Sequence, residues 1–369
     1  MKRQLSSIDL HYLAEELSSL KDSRIDKIYQ PGKNVIVLSL YKSSSGKKLL
    51  KINVGQCLFL IDEKEQYDET LGFGMFLRKH LDGYFLHDIN QLEPERILKL
   101  SFKIKENKKN LYIEFFGKGN AILCDEKEII MNSLEHHEFK DRTIKPKIKY
   151  QYPVMKYNIF GINRNDLTYL LKNSKKDTLV TSLATELGLG GLYAEEICVL
   201  SNIDKNKNPK NIEEKQIQSI LNNLKKINNK KIGPQVVLEN NNVIDVLPFD
   251  LLFYEKYNKQ KFSTFSEAVS HFYSQFKEVK ETEFDKKLSS LQRIIENQKT
   301  AIEQLNKEEQ ELREKGELIY HKYNLIKEIL EEINKASKKY SWKEIKEKLK
   351  GHKVVKEVNE KERKVVVEV

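Results

Sequence analysis

Three cysteines in 369 residues, Cys57, Cys124 and Cys198, are too few and too scattered for a disulfide framework. None sits in a CxxC spacing that would hold zinc. Their scarcity fits a reducing compartment, so a cytoplasmic protein is expected. No run approaches the roughly 20 apolar residues that a membrane span needs. The N-terminal MKRQLSSIDLHYLAEEL lacks the apolar core of a secretory signal. Familiar enzyme chemistry is missing too: there is no GxxxxGKS/T phosphate loop, no GxSxG elbow and no HExxH helix. Of eight histidines only His136 and His137 adjoin, in the polar stretch EHHEFKD, which reads as a surface loop. Gly72 and Gly74 in LGFGMF are too few for a dinucleotide loop. No metal and no cofactor are expected.

Charge, by contrast, is abundant. Lys and Arg number 65 against 55 Asp and Glu, giving a formal net charge of +10 and an isoelectric point of about 9.1. A basic surface favours polyanions such as RNA, DNA or anionic lipid. A lysine- and asparagine-rich coding bias would produce the same excess. Hydrophobic residues make up 39% of the chain, and its length suits two or three domains.

Residues 1–20 carry Leu10, Leu13, Ala14 and Leu17 at helical spacing. Short strand-like runs follow: RIDKIYQPG, NVIVLSLYK, KLLKINVG and CLFLID. LGFGMFLRKHLDG predicts a helix closed by Gly83. Further strands are predicted in FLHDINQLEP, RILKLSFKIK, NLYIEFFG and NAILCD, which makes this region α+β with antiparallel strands. From about 163 to 230 the text turns helical, in NRNDLTYLL, DTLVTSLATEL, LYAEEICVLSNI and EEKQIQSILNNLKK. Strand-like text returns in PQVVLE and VIDVLPF, then one helix in TFSEAVSHFYSQF, so the helical unit looks inserted.

From Phe284 to Ile333 positions step by four and three without a break, and twelve of these fifteen are apolar. Such a heptad pattern predicts a coiled coil, interrupted at Gln298, Glu309 and Gly316. The chain holds no second long heptad run. After WKEIKEKL and a hairpin-like pair it ends inside a small module, so the partner helix is expected beyond Val369.

Four constellations carry candidate chemistry. LRKHL puts Arg78, Lys79 and His80 on a helix, where they are phosphate contacts or a solvated edge. EPERI puts Glu95 beside Arg96 at a strand start, pointing to opposite faces. Such a pair offers one acceptor and a fork of donors, suited to base edges, or is merely an exposed pair. FFGKGNAILCD is a glycine-rich turn with Lys118 and Asn120. LGLGGLYAEEI places Gly188, Gly190 and Gly191 before a helix that contains Tyr193. Free N–H groups at that helix start suit a phosphate, and a plain helix connection has the same look.

In this order, together with SSIDLHYLAEEL and its Asp9, RIDKIYQP, DRTIKPKIKYQYP and REKGELIY, the pieces resemble the NFACT family. The resemblance runs over essentially the whole chain. It implies an N-terminal domain like that of MutM-type DNA glycosylases at 1–160, a helix-hairpin-helix module at 161–232 and a return segment at 233–280. A coiled-coil arm at 281–340 and part of a small middle domain at 341–369 follow. It further implies a ribosome-associated quality control factor that is not itself an enzyme. Such a factor binds obstructed large subunits and their rRNA, and recruits tRNA for template-free, alanine-type tailing of the stalled chain. A ubiquitin ligase or protease system would act downstream. Asp9, Arg78, Lys79, His80, Glu95, Arg96, Lys118 and Asn120 are the implied tRNA contacts. Gly188, Gly190, Gly191 and Tyr193 are the implied backbone contacts of the hairpin. Glu95 departs from the family's Asp by one methylene. A DNA-repair protein is the first alternative, disfavoured because Lys2 stands where the glycosylase nucleophile, a proline, would be. A surface adhesin is the second.

Overall fold

The computed structural model describes residues 4–61, 70–138, 142–153, 155–275, 283–350, 352, 354–360 and 362–367, and of these the side chains at 283–297, 299–300, 303 and 319 are excepted. Lys2 and the seam positions 284, 288, 291, 295 and 319 thus lie outside what is described. The chain divides into two units, Met1–Lys277 and Glu278–Val369.

In the first unit, helix α1 (Ser7–Leu17) starts where Ser6 leaves extended backbone. Ser6 Oγ accepts the Asp9 N–H at 3.1 Å, and the Asp9 carboxylate accepts the Ser6 N–H at 2.7 Å. This reciprocal cap satisfies two otherwise orphaned donors. Alternating apolar residues then build nine strands: β1 (Arg24–Gly32), β2 (Val35–Lys42), β3 (Gly46–Asn53), β4 (Cys57–Ile61), β5 (Phe85–Gln91), β6 (Ile97–Ile104), β7 (Asn107–Glu114), β8 (Asn120–Cys124) and β9 (Ile130–Ser133). They pair antiparallel in the order β4-β3-β2-β1-β5-β6-β7-β8-β9. Helix α2 (Gly72–Leu81) lies between β4 and β5 in the chain and packs on β1.

β1 and β5 pair through a single couple, Arg24 with Phe85. The two halves of the sheet on either side of that joint meet again where the β3–β4 and β7–β8 turns touch. A Cβ on Gly119 would lie 2.3 Å from Gly55 Cα, and both glycines have positive φ, 75° and 82°. No other residue fits there. Leu38, Leu50, Leu98 and Leu111 of the sheet share one core and are all fully buried.

After the short strands β10 (His137–Glu138) and β11 (Thr143–Ile144), a strap runs back over the outer face of the sheet. Arg142 donates twice to the Glu114 carboxylate, at 2.7 and 3.0 Å, and the Tyr150 hydroxyl donates to it at 2.9 Å. The Arg142 and Glu114 side chains are only 12% and 3% exposed.

The helical segment contains α3 (Arg164–Lys172), α4 (Leu179–Thr181), α5 (Gly191–Ser201) and α6 (Glu214–Asn228). The helix predicted over 177–187 is cut to one turn of α4 and a widened turn, in which the Leu187 N–H reaches the Ser182 carbonyl at 3.2 Å. Glu186 caps this region by accepting the Ser174 and Ser182 hydroxyls at 2.5 and 2.8 Å. The chain returns as β12 (Gln235–Glu239), β13 (Asn242–Leu247) and β14 (Asn258–Lys261), then α7 (Phe265–Ser274). The polar strand NKQK of β14 has no apolar pattern and is fixed by pairing with β12 alone. Glu16 of α1 accepts the Phe265 and Ser266 N–H groups at 2.6 and 3.0 Å, so the first helix caps the last helix of the unit.

The second unit begins with α8 (Glu283–His321), 39 residues and about 58 Å long at 1.5 Å per residue. The backbone breaks at Lys322 (φ −104°, ψ 18°), and α9 (Tyr323–Ser337) and α10 (Trp342–Lys348) follow. A hairpin of β15 (Val355–Asn359) and β16 (Lys364–Val367) closes the chain, with Ile345, Val355 and Val358 as its small core. Among the described seam residues of α8, Ile302, Leu305 and Leu312 are exposed by 57%, 62% and 66%.

Candidate nucleic-acid interface

The link between β5 and β6 is Leu92-Glu93-Pro94-Glu95-Arg96, with a cis peptide bond before Pro94. It is pinned from behind. Ser7 Oγ donates to the Pro94 carbonyl at 2.6 Å, and Gln91 Nε2 donates to the Glu95 carbonyl at 2.9 Å. The Glu95 carboxylate is 7% exposed and accepts the backbone N–H of Met155. Burial pushes its pKa up, opposed by that N–H and by the Arg96 charge. Arg96 Nη1 donates to Gln4 Oε1 at 3.1 Å, and Gln4 Nε2 donates in turn to the Gly117 carbonyl at 2.9 Å. Burial lowers the Arg96 pKa, and Glu95 counters it. A half-buried guanidinium with donors to spare is favourable when an anion or a carbonyl-rich edge meets it.

Opposite stands the glycine turn. Gly188 and Gly190 have φ of 84° and 76°, and α5 starts at Gly191 without a side-chain cap. A Cβ on Gly188 would lie 2.4 Å from Met155 Cε, the movable end of that side chain, so it is the φ of 84° that favours glycine here. Between them opens a cleft of about 740 Å³, lined among others by Gln4, Ser6, Glu95, Arg96, Phe116 and Gly188–Gly191. Its positive elements are the Arg96 guanidinium and the open amide end of α5. Asp245, which accepts the Tyr254 hydroxyl at 2.9 Å, adds an acceptor to the wall.

The model of one family, described as NFACT N-terminal and middle domains, matches residues 6–364. The chain belongs to the NFACT family. It is 28% identical over 374 residues to the archaeal Rqc2 homolog aRqcH of Methanocaldococcus jannaschii, covering 96% of this chain and 55% of that protein. To the human ribosome quality control complex subunit NEMF it is 25% identical, covering 94% of this chain and 35% of the relative. This NFACT chain thus spans about half the length of the archaeal relative and about a third of the human one. The fibrinogen binding protein of Staphylococcus aureus has a similar fold, with a TM-score of 0.59 and 19% identity over 73% of this chain and 98% of that one.

The cleft of this NFACT chain gathers Glu95, Arg96, Gly188, Gly190 and Gly191. Tyr193 also lines the cleft, and Asp9 sits behind it. Both are fully buried, and the Tyr193 hydroxyl donates to Asp9 Oδ1 at 2.8 Å, locking α5 onto the start of α1. Asn120 is likewise buried. Its amide donates to the Glu135 carbonyl at 2.9 Å and its carbonyl accepts two backbone N–H groups, so it serves the β8 turn, while Lys118 on that turn is exposed.

Arg78, Lys79 and His80 are not in the cleft. Arg78 Nε donates to the Ile28 carbonyl and Nη2 to Thr70 Oγ1, and its guanidinium lies 5.4 Å from the Tyr29 ring centre. Lys79 lines a separate hollow of about 570 Å³ with Asp26, Lys27 and Asp82. His80 lies 4.3 Å from the Phe76 ring, and burial first, then Lys109 and Lys79, push its pKa down. Gln4, Met155 and Asp245 belong to the cleft and carry no sequence signal. Each stands alone in its segment and meets the others only through folding. No cluster of potential metal ligands occurs among the described residues, and none of the helices searched there is long and apolar enough to cross a membrane.

Proposed function

We propose that this chain is a ribosome-associated quality control factor that binds obstructed large subunits and their rRNA and recruits tRNA for template-free tailing of the stalled chain. Its cytoplasmic setting, the coiled-coil role of α8, the helix-hairpin-helix reading of α4–α5 and a downstream ligase or protease are parts of the same proposal. Its relatives, an archaeal Rqc2 homolog and a human ribosome quality control complex subunit, support it. The observation that carries it is the convergence of Arg96 with the open start of α5 across one cleft. A planar guanidinium suits a phosphate or a guanine edge, and a helix start suits a phosphate. The protein then contributes placement, while the ribosome's own centre makes the bond.

RNA sequencing after mild crosslinking in the protein's own cells tests this reading. Enrichment of large-subunit rRNA with one or two tRNA species supports it, and absence of RNA enrichment refutes it. Arg96→Ala is expected to weaken tRNA association tenfold or more, the scale of one lost bidentate contact, with subunit binding retained. Equal loss of both would end the assignment of tRNA to the cleft.

A further inference from the structure

Strand register draws a line of side chains across the sheet that no sequence motif contains. Lys47 of β3 stands opposite Tyr41 of β2, Tyr41 opposite Arg24 of β1, and Arg24 opposite Phe85 of β5. Phe85 stands opposite Lys103 of β6, and Lys103 opposite Lys108 of β7. Directly opposed residues of antiparallel strands project from the same face. The neighbouring couple Ile25 and Leu40 is buried, so this row faces outward. Tyr41 and Phe85 are 48% and 45% exposed, an unusual position for two large rings on one row. Lys47 lies 3.4 Å from Asp26, whereas Arg24, Lys103 and Lys108 take part in no ion pair among the described residues. Lys103 is seven residues along the strand from Arg96, about 23 Å at 3.3 Å per residue, so the row and the cleft occupy opposite ends of β6.

We propose that this row is a second binding surface, for an unpaired stretch of RNA. Rings alternate with cations, the pattern that stacks bases and tracks a backbone without reading sequence. Tyr41 and Phe85 are separated by one strand, about 10 Å at two strand spacings. That leaves room for a base on each ring and a phosphate over Arg24. Charge complementarity selects a polyanion, and free ring faces select one whose bases are unpaired. The choice of RNA over DNA rests on the function proposed above, and the existence of the surface does not.

The test uses the whole chain and a fluorescent 12-nucleotide oligouridylate in anisotropy titrations. Tyr41→Ala and Phe85→Ala should each weaken binding by about fivefold or more, with Phe85→Trp restoring it. Arg24→Gln should lower the salt slope by about 0.7, the value per phosphate contact on single strands. Lys225→Gln on α6, with the same loss of charge, should leave affinity unchanged. Alanine variants that bind like the wild type, a preference for duplex of equal length, or equal loss in Lys225→Gln would each overturn the proposal. So would absence of oligouridylate binding. Because both rings are exposed, Phe85→Leu keeps the strand apolar while removing the stacking face, and it should behave like Phe85→Ala. If tRNA enrichment fails but the ring dependence holds, the surface stands and the cleft reading falls.

Discussion

The cleft and the arm are opposite solutions to holding a functional surface in place. Every wall of the cleft is tied to another wall: Gln4 to Arg96 and Gly117, Glu95 to Met155, and Tyr193 to Asp9. The described seam of α8 is tied to nothing, with Leu305 and Leu312 more than half exposed. The first region is shaped by its own chain before a ligand arrives. The second carries apolar area that is worth about 25 cal/mol per Å² only when something covers it. On the function proposed above, rigid geometry sits where tRNA would be selected, and the exposed seam sits where a partner would cover it.

Arg142→Met breaks the tied region hardest. It leaves Glu114 buried without its bidentate partner, and losing one member of a buried pair costs about 3–5 kcal/mol. Urea unfolding should show the whole loss in the first unit, and a cost below about 1 kcal/mol would mean the strap is not anchored by charge. The second comparison inverts the role of glycine. Gly316 in α8 has open space around it and no positive φ, so Gly316→Ala should stabilise the helix by about 1 kcal/mol, visible as higher helicity on warming. The same change at Gly188, with its φ of 84°, should destabilise. The smallest expected effect concerns Glu95. Burial raises its folded pKa, so stability is full below about 4.5 and is lost as pH rises past that value and the carboxylate ionises. Glu95→Gln keeps an acceptor for Met155 and removes this loss. Its Tm should therefore gain on the wild type between pH 4 and 7, and a difference that shrinks with rising pH would show that the Arg96 attraction outweighs burial.

Much of the fold was legible because it is written locally. RIDKIYQPG is β1 to the residue, and LGFGMFLRKHL holds α2 with its apolar side. What was not legible depends on partners distant in sequence. β14 is polar and exists through pairing, and the helix expected at 177–187 yields to hydroxyl bonds with Glu186. At the site, Glu95, Arg96 and the glycines are read from short motifs. Asp9 and Asn120 look identical in sequence to ligand-facing residues, and only the structure shows that they are buried and bonded outside the cleft lining. The aromatic and basic row is invisible in sequence, since its six members come from six strands.

The bonds from Glu16 to Phe265 and Ser266 set an order of events during synthesis. Some 250 residues separate the two ends of this contact, and Tyr12 similarly waits for the carbonyls of Ile227 and Lys230. Until α7 has left the exit tunnel, α1 lacks the helix that it caps and packs against. At about 5–20 residues per second, that interval lasts on the order of ten seconds to a minute. The N-terminal helix therefore completes its contacts only long after it has been made.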